Sequence, residues 1–127
     1  MLESYSIDAA KRLVWAKFIG KMTLQDIESY GAQLRADRQF SPGYSEIVDL
    51  TEVEKVAVNA QQTMSLGGKV PFSPGSKRAL VVKNRPQSHA AHMYRIIREG
   101  HNIRVFEKLE EAMEWITQAQ ASAAGAR

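Results

Sequence analysis

Six polar residues gather at the ends of two apolar segments of this 127-residue chain. In the first segment, "IVDL" at residues 47–50, an aspartate interrupts an apolar run, and Thr51 and Asn59 come after it. The second segment, "RALVVK" at residues 78–83, leads into Asn84 and Arg85. Ligands and partners of open α/β sheets commonly meet the carboxyl ends of parallel strands. We therefore predict a partner- or ligand-binding surface formed by Asp49, Thr51, Asn59, Lys83, Asn84 and Arg85.

Asp49 has two interpretations. As a structural residue it would accept hydrogen bonds from loop amides and fix the turn after the strand. As part of a binding surface it would stand beside Thr51 and the start of the next helix at Asn59, where unpaired amides suit a partner's acceptor. A catalytic role is not predicted, because general acid–base chemistry needs a second positioned group and the sequence has no motif partner beside Asp49.

Several common catalytic and cofactor motifs are missing from the sequence. "GGKVPFSPGSK" at residues 67–77 lacks the residue order of a phosphate-binding loop, and neither G-x-G-x-x-G nor G-x-S-x-G occurs. The absence of cysteine excludes disulfides, thiolate metal sites and a cysteine nucleophile. His89 and His92, with His101 near the end of the same predicted helix, permit a shared metal but are more typical of exposed helix residues. We predict no metal and no cofactor, and we favour a non-enzymatic protein over an enzyme.

Charge is distributed unevenly along the chain. The 17 Lys+Arg and 14 Asp+Glu give a net charge of +3, which is mild for a dedicated nucleic-acid binder. Residues 69–104 hold eight basic residues and one acid, Glu99, so this segment carries +7 and the remainder −4. The surplus predicts either a solvated surface or a basic face that holds a small anion such as a phosphate or a lipid headgroup. The basic residues are Lys69, Lys77, Arg78, Lys83, Arg85, Arg95, Arg98 and Arg104.

The first residues of the sequence carry charges at Glu3, Asp8, Lys11 and Arg12. This stretch therefore has neither the apolar core of a signal peptide nor a membrane span of about 20 apolar residues. We expect a cytoplasmic protein that does not span a membrane. The oligomeric state and the identity of any partner do not follow from the sequence.

Hydrophobic periodicity predicts a single α/β domain of order ββαβαβαβα, with a mixed sheet of about five strands and about four helices. The predicted strands cover residues 4–7, 12–19, 46–50, 78–83 and 102–106. The first helix is expected to begin at a Thr23 cap with Asp26 three residues on, and the second at an Asn59 cap. The third should start at Pro86, and the fourth should have Glu107 in its first turns and bury Leu109. The predicted core is Val14, Phe18, Leu24, Ile27, Leu34, Val48, Leu50, Leu80, Val82, Ile97, Val105, Met113 and Ile116.

The β-β-α entry followed by "IVDLTEVEKVAVNA" resembles the STAS domains of anti-sigma-factor antagonists and anion transporters, whose central strand commonly ends in a similar Asp-Leu-Ser/Thr-x-Val segment. From "SIDAAKRLVWAKFIGKMTLQDI" through "PGSKRALVV" to "VFEKLEEAMEWI", the chain looks more specifically like the small bacterial single-domain proteins called STAS/SEC14-like or SpoIIAA-like. The resemblance extends from Tyr5 to Ile116. It implies a SpoIIAA-like domain over residues 1–118, with 119–127 as a helix extension or flexible tail.

The resemblance also implies roles for particular residues. Asp49 matches the aspartate at the strand end, and Thr51 matches the small hydroxyl residue two positions later. Antagonists that are switched by phosphorylation have a serine at the start of the following helix, where this chain has Val58. The resemblance thus implies a non-enzymatic regulatory or protein-interaction module without the phosphoacceptor serine. Its alternative implication is the binding of a small anionic ligand or lipid headgroup in a SEC14-like manner.

Overall fold

The computed structural model describes residues 1–66 and 70–125, the last seven of these as backbone alone. Five strands and four helices alternate in the predicted order ββαβαβαβα. The strands are β1 (Leu2–Asp8), β2 (Leu13–Thr23), β3 (Ser45–Ala57), β4 (Lys77–Val81) and β5 (Asn102–Phe106). The helices are α1 (Leu24–Ala36), α2 (Ala60–Ser65), α3 (Arg85–Ile97) and α4 (Leu109–Gly125).

The strands form one mixed sheet in the order β1-β2-β3-β4-β5. The β1–β2 hairpin is antiparallel, and β2, β3, β4 and β5 are parallel neighbours. The hairpin turn includes Arg12 in a left-handed conformation (φ 53°), while the Lys11 amide donates to Oδ1 of Asp8 at 3.0 Å. The later strands are joined through helices, which is the connection that parallel neighbours require.

Helices cover both faces of the sheet. Tyr30 and Leu34 of α1 and Ala91 of α3 join one core cluster, which includes Val48 of β3. Helix α4 contributes Trp115 and its neighbours to a second cluster, which contains Ile47. Successive strand residues point to opposite faces, so these two clusters lie on opposite sides of the sheet. Helix α2 lies beside α3 on the first side.

Most of the predicted core is buried, and the remainder is half-buried. The buried members are Val14, Phe18, Leu34, Val48, Leu50, Leu80, Val82 and Ile116. The half-buried members are Leu24, Ile27, Ile97, Val105 and Met113. The expectation that Leu109 is buried is wrong: its side chain is 42% exposed, because it lies in the first turn of α4, and Trp115 takes a place in the core instead.

The prediction that β3 ends near Asp49 is wrong, because the strand continues to Ala57. Asp49 pairs with Lys17 of β2, but the next pair is Glu52 with Ile19, so β3 has one extra residue there. A second extra residue follows Val53, opposite Gly20, whose φ of 59° suits an irregular strand. Each extra residue shifts the alternation of inward and outward side chains by one position along the strand.

The two bulges change the spacing of the residues that face the core. Leu50, Val53 and Val56 all contact the first core cluster although they are three residues apart. Three-residue spacing is typical of a helix rather than a strand, in which inward residues are two apart. The sequence after residue 50 therefore lacks the regular alternation of a strand, and helix α2 begins after Asn59, at the cap that the sequence predicts.

Candidate functional site

A cavity of about 90 Å³ lies between the sheet and helices α1, α2 and α3, and it is partly open to solvent. Its walls are mainly apolar. The sheet contributes Phe18, Val48, Leu50 and Leu80, and the helices contribute Ile27, Ala90 and Met93. An apolar cavity with a few convergent polar groups is the commonest form of a small-molecule site.

Five polar side chains line the cavity beside this apolar surface: Thr63, whose hydroxyl donates to the Asn59 carbonyl, and a cluster of Tyr30, Glu46, Arg78 and Tyr94. Glu46 of β3 and Arg78 of β4 are directly paired across the parallel strands. Nε of Arg78 donates to Oε1 of Glu46 at 2.9 Å, and the Tyr30 hydroxyl donates to Oε2 at 2.6 Å. Nη2 of Arg78 donates to the Tyr94 hydroxyl at 2.9 Å. A buried ion pair is thus held between two tyrosines.

The environment keeps Arg78 positively charged. Burial by itself lowers the pKa of the guanidinium, but the charge of Glu46, its hydrogen bond and the Tyr94 contact together raise the pKa above its ordinary value. The guanidinium carbon also lies 5.0 Å from the ring centroid of Phe72 and 5.3 Å from that of Tyr94. Both distances suit cation–π attraction, so Arg78 is fixed by rings as well as by hydrogen bonds.

Two donors of the cluster have no acceptor within the part of the chain that the structure describes. Nη1 of Arg78 has no hydrogen-bond partner among the described residues, although Nε and Nη2 are both engaged. The Tyr94 hydroxyl accepts from Arg78, and within the described part of the chain its own hydrogen has no acceptor. Both residues line the cavity, so the pair can donate to an acceptor placed there.

The sequence patterns do not predict this site. Glu46 and Arg78 each begin a predicted buried strand, and an ionisable residue in such a run was the available signal. Arg78 was instead counted with the basic residues of a surface. Its side chain is only 3% exposed, because Glu46 compensates its charge inside the fold. Arg78 therefore does not belong to a basic face, and Lys69 of the same set lies outside the described residues.

Asp49 and Thr51 belong to the first bulge of β3. Oδ1 of Asp49 accepts from the Thr51 amide at 2.9 Å and from the Thr51 hydroxyl at 2.6 Å. Both side chains are half-buried. Asp49 therefore stabilises the irregular backbone with its own neighbour, as its structural interpretation expects, although within a strand and not after one.

Gln87 brings the two predicted groups of site residues together. Its Nε2 donates to the carbonyls of Thr51 (3.2 Å) and Val53 (2.8 Å), and its Oε1 accepts from the Lys83 amide at 2.8 Å. Asn84 caps α3 by accepting from the Gln87 amide at 3.0 Å. The Asp49–Thr51 bulge therefore lies beside the segment 83–85, in which all three side chains are exposed.

Asn59 occupies a separate position at the far end of β3. It is exposed and forms a capping box for α2 with Gln62, so its side chain is engaged within the chain. Val58, immediately before it, lines the cavity. The position that resembles the phosphoacceptor site is thus an apolar wall of the cavity.

His89 and His92 are exposed on α3. The part of the chain that the structure describes contains no group of three side chains placed to hold a metal ion. Within the same residues, no helix combines the length and the apolar character needed to cross a membrane.

Comparison with solved structures finds a similar fold in an uncharacterised protein of the DUF3478 family, with a SpoIIAA-like fold, from Shewanella loihica PV-4. The TM-score is 0.61 and the identity 21%, over 89% of this chain and 92% of that chain. No family model matches the chain, and no curated protein matches its sequence. At this identity the likeness establishes the fold alone, and the predicted SpoIIAA-like fold is confirmed.

Proposed function

We propose that the protein is a non-enzymatic binding module that holds a small, mainly apolar molecule in the cavity between the sheet and helices α1–α3. The observation that carries this proposal is the position of the Arg78–Tyr94 donors beside an apolar wall. An apolar wall accepts the body of a ligand, and a few polar groups fix its orientation.

The energetics of packing support a ligand. The cavity leaves apolar side chains partly open to solvent, and a ligand that covers them would remove that apolar surface from water. The volume suits a group of a few carbon atoms or the end of a longer chain whose remainder extends into solvent.

Methionine methyl resonances offer a direct test. Met22 and Met93 line the cavity, whereas Met113 packs on the opposite side of the sheet. Methyl butyl ketone, or its hydrocarbon isostere with a methylidene group in place of the carbonyl oxygen, should shift the Met22 and Met93 signals in a saturable manner. The Met113 signal should not move.

A substitution that fills the cavity provides the control. Ala90→Leu places extra carbon atoms into the cavity from α3 and should abolish the shifts, while Ala32→Leu on the exposed face of α1 should preserve them. If neither probe shifts Met22 and Met93, or if the shifts persist in Ala90→Leu, the cavity is not a binding site.

A second candidate function is protein-partner binding at the β3 extension and the neighbouring segment 83–85. The favouring observation is that β4 pairs with β3 only as far as Asp49–Val81, so the later residues of β3 lie beyond the end of β4. Within the described chain, Gln87 is the side chain that bonds the carbonyls of Thr51 and Val53 on that side. A strand edge that lacks a neighbouring strand is a recurrent place for partner binding.

The partner hypothesis is tested with Asp49→Asn and Thr51→Ala. A partner enriched from the native organism would be purified, and its affinity for both variants compared with the thermal stability of each variant. Loss of affinity in stably folded variants supports the surface. If the affinity is unchanged, or if it falls only in variants that unfold, this surface does not bind the partner.

A small anion at Lys83 and Arg85 is the alternative ligand for this surface, since both side chains are exposed at the start of α3. Inorganic phosphate should then raise the melting temperature of the protein but not that of Arg85→Ala. Equal responses of the two proteins would exclude the anion site.

A further inference from the structure

We infer that the cavity selects uncharged ligands that carry a hydrogen-bond acceptor, such as a ketone, ester or amide, and discriminates against carboxylates. This inference rests on the proposed small-molecule binding and specifies the chemistry of the ligand. It follows from the charge balance of the Tyr30–Glu46–Arg78–Tyr94 cluster.

The positive charge in the cavity already has its counter-ion. Nε of Arg78 lies 2.9 Å from Oε1 of Glu46, and the two side chains are 3% and 1% exposed. Tyr30 donates to the second oxygen of Glu46. The cluster is therefore neutral as a whole and fully formed before any ligand arrives.

Within the described residues, two donors of the cluster lack an acceptor. Nη1–H of Arg78 and the Tyr94 O–H have no acceptor among the described residues, and both belong to residues that line the cavity. The two oxygens of Glu46 already accept hydrogen bonds, so the cluster offers little acceptor capacity to a ligand that donates hydrogen bonds. A carbonyl oxygen complements these two donors.

A carboxylate fits this arrangement poorly. It would gain attraction from Arg78, but it would also approach the negative charge of Glu46 and lose its hydration in an apolar cavity. A hydrocarbon avoids that penalty but leaves the two donors without an acceptor. A neutral ligand with a carbonyl acceptor avoids both penalties, so it should bind more tightly than a carboxylate or a hydrocarbon of similar size.

The test compares three probes of similar size: methyl butyl ketone, its methylidene isostere and hexanoate at neutral pH. Dissociation constants come from titrations followed on the Met22 and Met93 methyl signals. We expect the ketone to bind about tenfold more tightly than either other probe, the change expected from about one net hydrogen bond.

Variants separate the donor's role from general effects on the fold. Tyr94→Phe should weaken ketone binding about fivefold to tenfold and leave the methylidene isostere unaffected. Tyr5→Phe is the matched control, because its hydroxyl donates to Asp37 at 2.9 Å and the residue does not line the cavity. It should leave the affinities of all three probes unchanged.

The outcomes distinguish this inference from the proposed function. If the isostere or hexanoate binds as tightly as the ketone, the cavity is a binding site but the selectivity is wrong. If Tyr94→Phe weakens ketone and isostere equally, the hydroxyl is not the recognition group. If no probe binds, both proposals are overturned.

Discussion

Glu46 and Arg78 face each other on neighbouring parallel strands, and their side chains form a 2.9 Å ion pair that is almost completely excluded from solvent. Burial of two charges costs several kcal/mol per ion, and good geometry is needed to offset that cost. The Tyr30 and Tyr94 hydrogen bonds complete that geometry. Removal of either charged side chain should therefore lower the free energy of unfolding substantially.

The first prediction concerns this pair. Glu46→Gln should lower the free energy of unfolding by about 3 to 5 kcal/mol, because the charge of Arg78 remains buried without a counter-ion. Combined replacement by Glu46→Leu and Arg78→Met should cost less than Glu46→Gln alone. Urea denaturation measures both.

The Lys17–Glu52 ion pair, in which Glu52 is exposed and Lys17 half-buried, supplies the control. Glu52→Gln should change the free energy of unfolding by less than about 1 kcal/mol, since exposed pairs contribute little. A similar loss for Glu46→Gln and Glu52→Gln would contradict the special role of the buried pair.

The second prediction concerns stability at alkaline pH. Burial, and then the charge and hydrogen bond of Glu46, raise the pKa of the Tyr30 hydroxyl well above its ordinary value. Above about pH 10 the unfolded chain therefore loses this proton while the folded chain retains it. The stabilisation is present below about pH 10 and is lost as the pH rises towards the folded-state pKa, with a slope of up to about 1.4 kcal/mol per pH unit.

Denaturant titrations between about pH 9 and pH 11 test this expectation. Tyr30→Phe should be less stable than the parent protein at neutral pH, because Glu46 loses a hydrogen bond, but its stability should fall less steeply with rising pH. Parallel pH profiles for the two proteins would show that Tyr30 does not carry the effect.

The third prediction contrasts two leucines. Leu80 is 5% exposed in β4, and Leu80→Ala should lower the free energy of unfolding by about 2 to 4 kcal/mol. Leu109 is 42% exposed, so Leu109→Ala should cost less than about 1 kcal/mol. Equal losses, measured by urea denaturation, would contradict the burial of these two side chains.

The fold was predictable because its signals are local. The Thr23–Asp26 capping box is present as expected, with the Thr23 amide donating to Asp26 at 2.8 Å. β5 covers the predicted residues 102–106, because its apolar residues alternate without a bulge. Caps and regular alternation depend on residues within one turn or one strand, so the sequence displays them directly.

The continuation of β3 and the buried site depend on contacts between distant segments. The bulges that carry β3 to Ala57 are defined against β2, and the regular alternation of a strand is lost wherever they occur. The Glu46–Arg78 pair joins residues 32 positions apart. Its recognition requires the register of β3 and β4, which the separate apolar runs do not specify.

The last prediction concerns Gln87, whose buried amide joins β3 to the beginning of α3. Its side chain is 2% exposed and bonds the carbonyls of Thr51 and Val53 and the amide of Lys83. Gln87→Leu preserves the approximate volume but leaves these backbone groups without their side-chain partner. We expect a loss of about 2 to 4 kcal/mol in the free energy of unfolding, and faster hydrogen exchange at the Lys83 amide.

Gln33→Leu on α1 is the matched control, because Gln33 is exposed and bonds only Ser29 among the described residues. This substitution should change the free energy of unfolding by less than about 0.5 kcal/mol. If Gln87→Leu retains both the stability and the slow Lys83 exchange of the parent protein, Gln87 does not hold the β3 bulge against α3.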